Sequence, residues 1–487
     1  MRKGFLIVLS ALLLSGNYLA AQSVPFDPEI RKLYLNLDTL GGNRLLIQRY
    51  KVNSPDFIRL LSYREFLISL LHQSKKNVEQ YLTESGPWIQ SLDRLHDAGI
   101  SIQVALAEIH LYRSVLTSQI SDYKTTATEL IASYKIVARF GSDFTTSDRN
   151  KLSGFLGIIF HQVPDQYVKY LKLLGVRTSG LSGFNGLERY YGSALPGTAD
   201  RMEGFLLLVT TLKEFSQDPA ASWNFVTAEG MPMFENPLVR YQCAMAALKA
   251  GNCDKAVELL EIPLPAKAQV TFPYWNYLLG RTKLYQDNPE SVICFDRFLQ
   301  DPGGENYRHS ATLLAAEYYF IHGKQDQANK YLEKMKNFSA PLTVADKQAL
   351  IESSAEKLPK SYLLKIRFLF DGGYYNDCLT TCESMLLAGG YSGPEDGELL
   401  YRKARCQQRL GRVLPAIETY KEVIGRAEKI NSYFVPNSAL QVGYLYKKSG
   451  QTELARKYYH ICLDLNNYGY REGINRQAQA ALRELDK

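Results

Sequence analysis

The residues best suited to chemistry are two cysteines one helical turn apart, Cys378 and Cys382. Thiols at this spacing can hold a metal ion or cycle between a dithiol and a disulfide. The chain has seven cysteines, and an odd number leaves at least one without an intramolecular partner. The alternative is that both thiols are small residues of a hydrophobic core, which is common for free cysteine.

No histidines have the spacing of a metal site, whereas the many Asp and Glu residues leave open an acid pair formed in three dimensions. The histidines are His72, His96, His110, His161, His309, His322 and His460. No two lie one helical turn apart, as zinc-binding pairs often do. Asp464 and Asn466 resemble the start of a calcium loop, but Asn475 stands where such a loop ends in glutamate. We therefore predict no catalytic residue, no cofactor, no metal ion and no enzymatic activity.

The most glycine-rich segment, residues 164–192, has glycines at 175, 180, 183, 186 and 192. A phosphate-binding loop needs a defined glycine spacing after a strand and a following lysine and hydroxyl, which this segment lacks. It is not a nucleophile elbow either, because Phe184 takes the place of the closing glycine. We predict a connection between two helices here.

The composition is that of a packed protein, with 46% hydrophobic and 22% charged residues. The formal net charge of +7 is mild for this length, and no basic stripe stands out, so nucleic acid is not an expected partner. The 33 tyrosines fit rings buried between helices with their hydroxyls near water, and they also fit aromatic contacts with a ligand.

Residues 1–21 have the pattern of a secretory signal peptide. Arg2 and Lys3 precede an apolar run at 5–14, and small residues at 20–21 permit cleavage before Gln22. No cysteine lies near the cleavage site to carry a lipid, and no later run has the length of a membrane span. We expect an exported, soluble protein of the periplasm or outer envelope that is not a lipoprotein. The alternative is an uncleaved anchor helix.

The elements that position these residues repeat along the C-terminal half. Two stretches share one order: a small residue, a glycine seven later, an alanine five after that and an aromatic four further on. Their members are Ala404, Gly411, Ala416 and Tyr420, and then Gly443, Gly450, Ala455 and Tyr459. This order resembles the tetratricopeptide repeat, a pair of antiparallel helices of about 34 residues.

Four more segments fit the same register. They are Ala244, Gly251, Ala256 and Leu260; Gly280, Ser291, Phe295 and Phe298; Ala316, Gly323, Ala328 and Leu332; and Ile366, Gly373, Cys378 and Cys382. The glycine ends the first helix in a left-handed conformation, and the small residues lie where the two helices cross. Because Cys378 and Cys382 fall on core positions, the register favours buried thiols over a metal or redox pair.

The resemblance implies an all-α fold, an α–α superhelix of helical hairpins. We expect an irregular helical region at 22–235 after the signal peptide. Six repeats follow at 236–470 with an inserted helix near 344–357, and a capping helix at 471–487 covers the end.

Within the first region the sequence makes three local predictions. Ser54 followed by Pro55 indicates a helix start. Gly86 followed by Pro87 indicates a break. Residues 101–140 have almost uninterrupted helical periodicity, which predicts one long helix ending at a glycine.

A second resemblance covers nearly all of the chain after the signal peptide. An apolar helix containing Gly154, Phe155 and Gly157 precedes a Lys/Leu helix that ends at Gly175, and a glycine loop opens at Gly186. With the Arg/Gln/Ala helix near the end of the chain, this order is similar to the inclusion-body clearance family, also called the tetratricopeptide repeat protein 39 family. The resemblance implies a binding scaffold and carries over no catalytic residue. Those relatives are intracellular, so it carries over no localisation.

The inner wall of such a repeat array comes from the first helix of each pair. In the C-terminal repeats it would present Arg367, Tyr401, Arg402, Arg405, Arg409, Tyr444, Lys447 and Lys448. Arginine forks match carboxylates, so we expect this face to hold an acidic peptide or the C-terminal carboxylate of a partner protein. The alternative is an ordinary solvated helix face.

A second function hypothesis is an envelope glycan- or nutrient-binding protein on a helical-repeat frame. Trp88, Trp223, Tyr274 and Trp275 could serve as aromatic platforms. The short loops and the missing lipid-attachment cysteine argue against it.

Overall fold

The computed structural model describes residues 26–486 apart from short gaps. The gaps are 96–98, 162, 164, 217, 230–234, 266–267, 269, 271, 355–357, 391–392, 431 and 466–470. The predicted signal peptide lies outside the described residues. Every regular element within them is a helix, which confirms the predicted all-α class. Across the described ranges, no helix combines the length and the apolar character needed to cross a bilayer.

The described residues form two compact units. Unit 1 extends to residue 318 and includes 325–356, and unit 2 contains 319–324 and the chain from residue 357 onward.

Unit 1 is built from eighteen α-helices in the described ranges, with the last residues of α16 belonging to unit 2. They are α1 (Pro28–Leu35), α2 (Thr39–Arg49), α3 (Pro55–His72), α4 (Lys75–Asp93), α5 (Ile100–Gln119), α6 (Tyr123–Phe140), α7 (Thr146–His161), α8 (Asp165–Leu173), α9 (Gly183–Ser193), α10 (Ala199–Phe215), α11 (Ala221–Ala228), α12 (Pro237–Ala250), α13 (Cys253–Glu261), α14 (Pro273–Tyr285), α15 (Glu290–Gln300), α16 (Arg308–Ile321), α17 (Gln325–Lys334) and α18 (Val344–Ser353). Short 3₁₀ turns lie at Thr178–Gly180 and Met335–Asn337.

Unit 2 contains eight further α-helices among its described residues. They are α19 (Ser361–Gly372), α20 (Tyr375–Ala388), α21 (Gly393–Arg409), α22 (Val413–Gly425), α23 (Ala427–Ile430), α24 (Phe434–Lys448), α25 (Thr452–Asp464) and α26 (Arg471–Leu485). The last helix coincides with the predicted capping helix.

The six predicted repeats coincide with the helix pairs α12–α13, α14–α15, α16–α17, α19–α20, α21–α22 and α24–α25. The glycines that end the first helices have φ between 71° and 87°; they are Gly251, Gly323, Gly373, Gly411 and Gly450. The α14–α15 pair has Asp287 at φ 57° in its turn instead. The predicted inserted helix is α18.

The small residues at the helix crossings are fully buried. Ala404 and Ala416 are 0% exposed, and Cys378 and Cys382 are too. A Cβ built on Gly443 would lie 2.3 Å from the ring of Tyr459, so the two helices of this pair approach closer than any side chain allows. These contacts confirm the tetratricopeptide-type register.

Two local predictions in unit 1 were wrong. Residues 101–140 form two helices, because Ser121 has φ 62° and the Asp122 carboxylate caps α6 by accepting the Thr125 N–H at 3.1 Å.

The chain does not break at Pro87, which lies inside α4. Arg113 donates to the Leu82 carbonyl at 2.9 Å, in the turn before the proline. The predicted start at Ser54 is confirmed, since its hydroxyl accepts the Phe57 N–H at 3.3 Å.

The glycine-rich segment, predicted as a connection, contains α8, the turn to α9 and most of α9, and α9 packs closely against glycines of α7. A Cβ on Gly157 would lie 2.6 Å from the backbone nitrogen of Gly183, and one on Gly154 would lie 2.9 Å from that of Leu187. The neighbouring atoms are backbone and cannot rotate away. Glycine is therefore needed at these positions so that the two helices can meet.

We expect Gly157→Ala to lower the free energy of unfolding of unit 1 by about 1–3 kcal/mol, because the added methyl group forces the helices apart. Urea unfolding followed by tryptophan fluorescence reports on this unit, since Trp88, Trp223 and Trp275 all lie in it. The matched control is Gly192→Ala on α9, where a Cβ would meet no atom within 4 Å. Equal stability losses in the two variants would contradict the packing argument.

Candidate functional site

The predicted basic and aromatic set lies on three helices of unit 2. Arg367 is on α19, Tyr401, Arg402, Arg405 and Arg409 are on α21, and Tyr444, Lys447 and Lys448 are on α24. These residues have different neighbours in the structure. They fall into an arginine cluster on α19 and α21 and a separate group on α24.

Glu398 neutralises part of the arginine cluster. Its carboxylate accepts the Arg367 Nε–H at 2.8 Å and lies 3.5 Å from the Arg402 Nη2. Burial acts to raise the pKa of Glu398, but the two guanidinium groups outweigh it and hold that pKa below its ordinary value. Glu398 is therefore ionised at neutral pH and binds Arg367 and Arg402 to each other.

Arg405 lies between two aromatic rings. Its guanidinium carbon is 5.3 Å from the centroid of Phe370 and 5.8 Å from that of Tyr401, to whose hydroxyl Nη1 donates at 2.9 Å. No carboxylate pairs with it within the described ranges, and its Nε–H has no hydrogen-bond partner there. Both rings lie within cation–π distance of this guanidinium, which has no ion-pair partner in the described ranges.

Arg409 donates from Nε to the Tyr375 hydroxyl at 2.7 Å and stacks 5.0 Å from the centroid of that ring. Tyr401 is 3% exposed, and its ring packs 4.9 Å from Phe434. Tyr401 therefore supports the arginines from inside the core and has no free ring face to offer a partner.

The three residues on α24 have other roles. Tyr444 is partly buried with its ring edge-on to Tyr459 at 5.8 Å. Lys447 forms an ion pair with Glu484 of the capping helix, and Lys448 is exposed. Lys447 ties α26 to the last repeat, so it is already engaged within the unit.

Three members of this site were missed in the sequence: Glu398, Phe370 and Tyr375. Glu398 precedes Arg402 by four residues, which is the spacing of an ion pair on one helix face and could have been found. Phe370 and Tyr375 approach α21 only through packing between neighbouring helices, for which the sequence gives no local signal.

The arginine cluster consists of Arg367, Arg402, Arg405 and Arg409. Glu398 pairs with two of its members, and the field of Asp371 reaches Arg402. Planar guanidinium groups such as these suit bidentate binding of a carboxylate.

The two cysteines one helical turn apart are core residues. Cys378 and Cys382 are fully buried in one hydrophobic cluster with Cys406. All seven cysteines are buried free thiols. Over the described part of the chain, no group of His, Cys, Asp and Glu side chains has a metal-binding arrangement.

The proposed aromatic platforms are largely used inside unit 1. Tyr274 is 1% exposed, and Trp275 is 6% exposed with its indole N–H donating to the Leu260 carbonyl at 2.9 Å. Trp88 is partly buried and packs edge-on to Tyr81 at 6.1 Å. Buried ring faces cannot stack on a sugar, which weakens the glycan-binding hypothesis.

A buried ionic network in unit 1 was not predicted at all. It joins five helices and consists of Arg31, Arg59, Glu108, Asp148, Lys151, Asp200 and Glu203. Arg31 bonds Asp200 at 2.7 Å and Glu203 at 2.6 Å, and Arg59 bonds Glu108 at 2.7 Å. The guanidinium groups of Arg31 and Arg59 lie 4.9 Å and 4.0 Å from the ring centroid of Phe26.

Glu203 is the most buried acid of this network, at 0% exposure, and it accepts hydrogen bonds from the hydroxyls of Tyr190 at 2.8 Å and Tyr63 at 3.2 Å. Burial raises the pKa of Glu203 to about 8 despite the opposing fields of Arg31 and Lys151. A protonated Glu203 leaves three cations facing three carboxylates, so the interior charge balances. Perturbed acids often mark active sites, but this one is sealed from ligands and its geometry suits a structural role.

The comparisons with known proteins agree with the repeat register. A family model described as tetratricopeptide repeat matches residues 398–427, which contain most of α21 and all of α22. It identifies the repeat type and does not single out the inclusion-body clearance family. No curated protein matches.

Among solved structures, a monomeric mutant of IFIT1 with Gppp-AAAA is 14% identical with a TM-score of 0.30, covering 90% of this chain and 95% of its own. A second monomeric IFIT1 mutant, with m7Gppp-AAAA, is 14% identical with a TM-score of 0.29 and the same coverage. At these values the similarity says nothing about what this chain binds.

The buried ionic network predicts a pH dependence of stability for unit 1. The folded state keeps the Glu203 proton up to about pH 8, whereas the unfolded chain releases it near its ordinary value of about 4.3. The stability that Glu203 contributes is therefore complete below the unfolded pKa and is lost as pH rises through about 8.

Urea unfolding followed by tryptophan fluorescence, at a series of pH values from weakly acidic to weakly basic, measures the slope of the free energy of unfolding against pH. We expect Glu203→Gln to flatten it relative to the unaltered protein, because the amide mimics the protonated acid. Glu229→Gln, at a half-buried acid paired with Arg201, should leave it unchanged. A Glu203→Gln protein with the original slope would show that another group titrates.

Proposed function

We propose that this tetratricopeptide-repeat chain is a non-catalytic scaffold that binds a partner protein through the arginine cluster of unit 2. Its partner would supply an acidic peptide or a C-terminal carboxylate. The single observation that supports this most is Arg405, a partly buried cation held between two rings with no carboxylate paired to it in the described ranges.

The burial of Arg405 has a cost that a ligand would relieve. A guanidinium taken partly out of water loses hydration, and the two ring faces replace only part of it. A carboxylate that accepts from the terminal nitrogens of Arg405 would supply the ion pair that this guanidinium lacks in the described ranges. Arg402 likewise has a buried Nε–H without a hydrogen-bond partner there.

The neighbouring contacts favour a peptide over a point anion. Gln408 and Gln441 bond across α21 and α24 at 3.0 Å, and the Asn437 amide donates to the Tyr401 hydroxyl at 2.9 Å. Amide side chains next to arginines can bond the backbone of an extended chain, as in other peptide-recognition sites. Repeat scaffolds of this type present such side chains along the first helices of successive repeats.

The absence of catalysis rests on the repeat type, which usually serves as a binding scaffold. The place of action rests on the signal peptide pattern of residues 1–21. We propose that the chain is exported to the bacterial envelope and holds its partner there.

The test is capture of the partner by the tagged chain from an envelope extract after mild crosslinking, with mass spectrometry of the captured proteins. We expect Arg405→Glu combined with Arg409→Glu to abolish capture, because both bidentate donors become repulsive carboxylates. Lys365→Glu with Lys457→Glu is the matched control, since it makes the same charge change at two exposed lysines of unit 2. Undiminished capture by the arginine variant would place the binding surface elsewhere.

Synthetic peptides ending in glutamates, with a free or an amidated C-terminus, distinguish the two forms of the proposal in a fluorescence polarisation titration. Loss of a charge-assisted hydrogen bond of about 1.5–3 kcal/mol predicts a roughly tenfold to hundredfold weaker affinity for the arginine variant. If amidation alone removes binding, the site reads a C-terminal carboxylate.

A further inference from the structure

The end of α8 in unit 1 presents apolar side chains to solvent. Tyr170 is 51% exposed, Leu173 is 82% exposed and Leu174 is 51% exposed. Their spacing of three and four residues puts them on one face of the helix and its last turn. Exposed leucines occur singly on most proteins, whereas a clustered group of them commonly marks an interaction surface.

This surface, which we call the α8 patch, consists of Tyr170, Leu173 and Leu174 together with the exposed Lys169 and Lys172. Between positions 166 and 187 the sequence has no aspartate or glutamate. The Lys169 ammonium lies 5.0 Å from the centroid of the Tyr170 ring. Within this stretch of sequence the charge beside the apolar residues is purely positive, which favours an anionic partner.

The patch is held in place at its C-terminal end. Gly175 has φ 84°, and the Val176 N–H closes the helix by bonding the Leu171 carbonyl at 2.9 Å. Val176 is 1% exposed, so the chain enters the core immediately after the exposed leucines. The Tyr134 hydroxyl then accepts the Arg177 N–H at 2.7 Å and donates to the Arg177 carbonyl at 3.0 Å.

Leucines and a tyrosine on one face, flanked by lysines, are typical of a helix that lies in a membrane interface. Tyrosine suits the headgroup level, where its ring is apolar and its hydroxyl stays wet. Lysines beside the apolar face can reach lipid phosphates while their stems cover hydrocarbon.

We infer that the α8 patch docks on the surface of an anionic lipid bilayer, with Leu173, Leu174 and Tyr170 entering the headgroup region and Lys169 and Lys172 facing lipid phosphates. This is a second surface, separate from the peptide site proposed for unit 2. The described residues contain no membrane-spanning helix. Docking through the α8 patch would attach the exported scaffold reversibly to the membrane.

The test is co-flotation of the full chain, from Gln22 onward, with vesicles of phosphatidylcholine alone or mixed with phosphatidylglycerol. We expect binding to the mixed vesicles, weaker binding to the neutral ones and a decline with added salt. Because burying one leucine side chain changes affinity by roughly tenfold or more, Leu173→Ser with Leu174→Ser should weaken binding by at least about that factor. Lys169→Gln with Lys172→Gln should remove the preference for anionic lipid.

The matched control is Leu387→Ser with Leu414→Ser, which removes two leucines that are 90% and 73% exposed in unit 2. It should bind vesicles as the unaltered chain does. No binding to mixed vesicles, or equal losses in the two leucine variants, would overturn the inference. A third outcome would also overturn the inference. If the unaltered chain binds no vesicles, and the Leu173→Ser with Leu174→Ser variant loses an envelope protein that the unaltered chain crosslinks, the patch is a protein interface instead.

Discussion

The contact between a small residue on one helix and a bulky ring on the next determines the rest of the repeat region. A Cβ at Gly280 would lie 2.7 Å from the ring of Phe295, and one at Gly443 would lie 2.3 Å from that of Tyr459. The ring fills the space that the missing side chain leaves, so the two helices pack at one distance and one rotation. The side of the first helix that faces away from this contact therefore remains available for other contacts.

The arginine cluster depends on this constraint. Ala404 packs inward at the crossing of α21 with α22, and the next residue along, Arg405, consequently projects away from that crossing. Its guanidinium then meets Phe370 and Tyr401, which are supplied by α19 and α21. The electrostatic character of the surface thus follows from the packing of the core, because the helix rotation that buries Ala404 also sets the direction of the arginines.

In unit 1, neighbouring helices are held in close contact in two other ways. Between α7 and α9 glycines permit backbone contact, whereas among α1, α3, α5, α7 and α10 ion pairs take the place of apolar side chains. Buried ion pairs add little net stability but tolerate few alternative arrangements, since any misplaced partner leaves an uncompensated charge. The network therefore defines how α1, α3, α5, α7 and α10 fit together more than it strengthens them.

The sequence by itself determined the helical class, the tetratricopeptide-type pattern and the core positions of Cys378 and Cys382. All of these depend on residue types at short, fixed spacings within one hairpin. It also located the arginines of the candidate site. Only the tertiary structure decided that Glu398 bridges Arg367 and Arg402, which are 35 positions apart, and that Tyr401 is buried. The ionic network, with partners up to 172 positions apart, was likewise invisible, because pairing between distant helices leaves no period in the sequence.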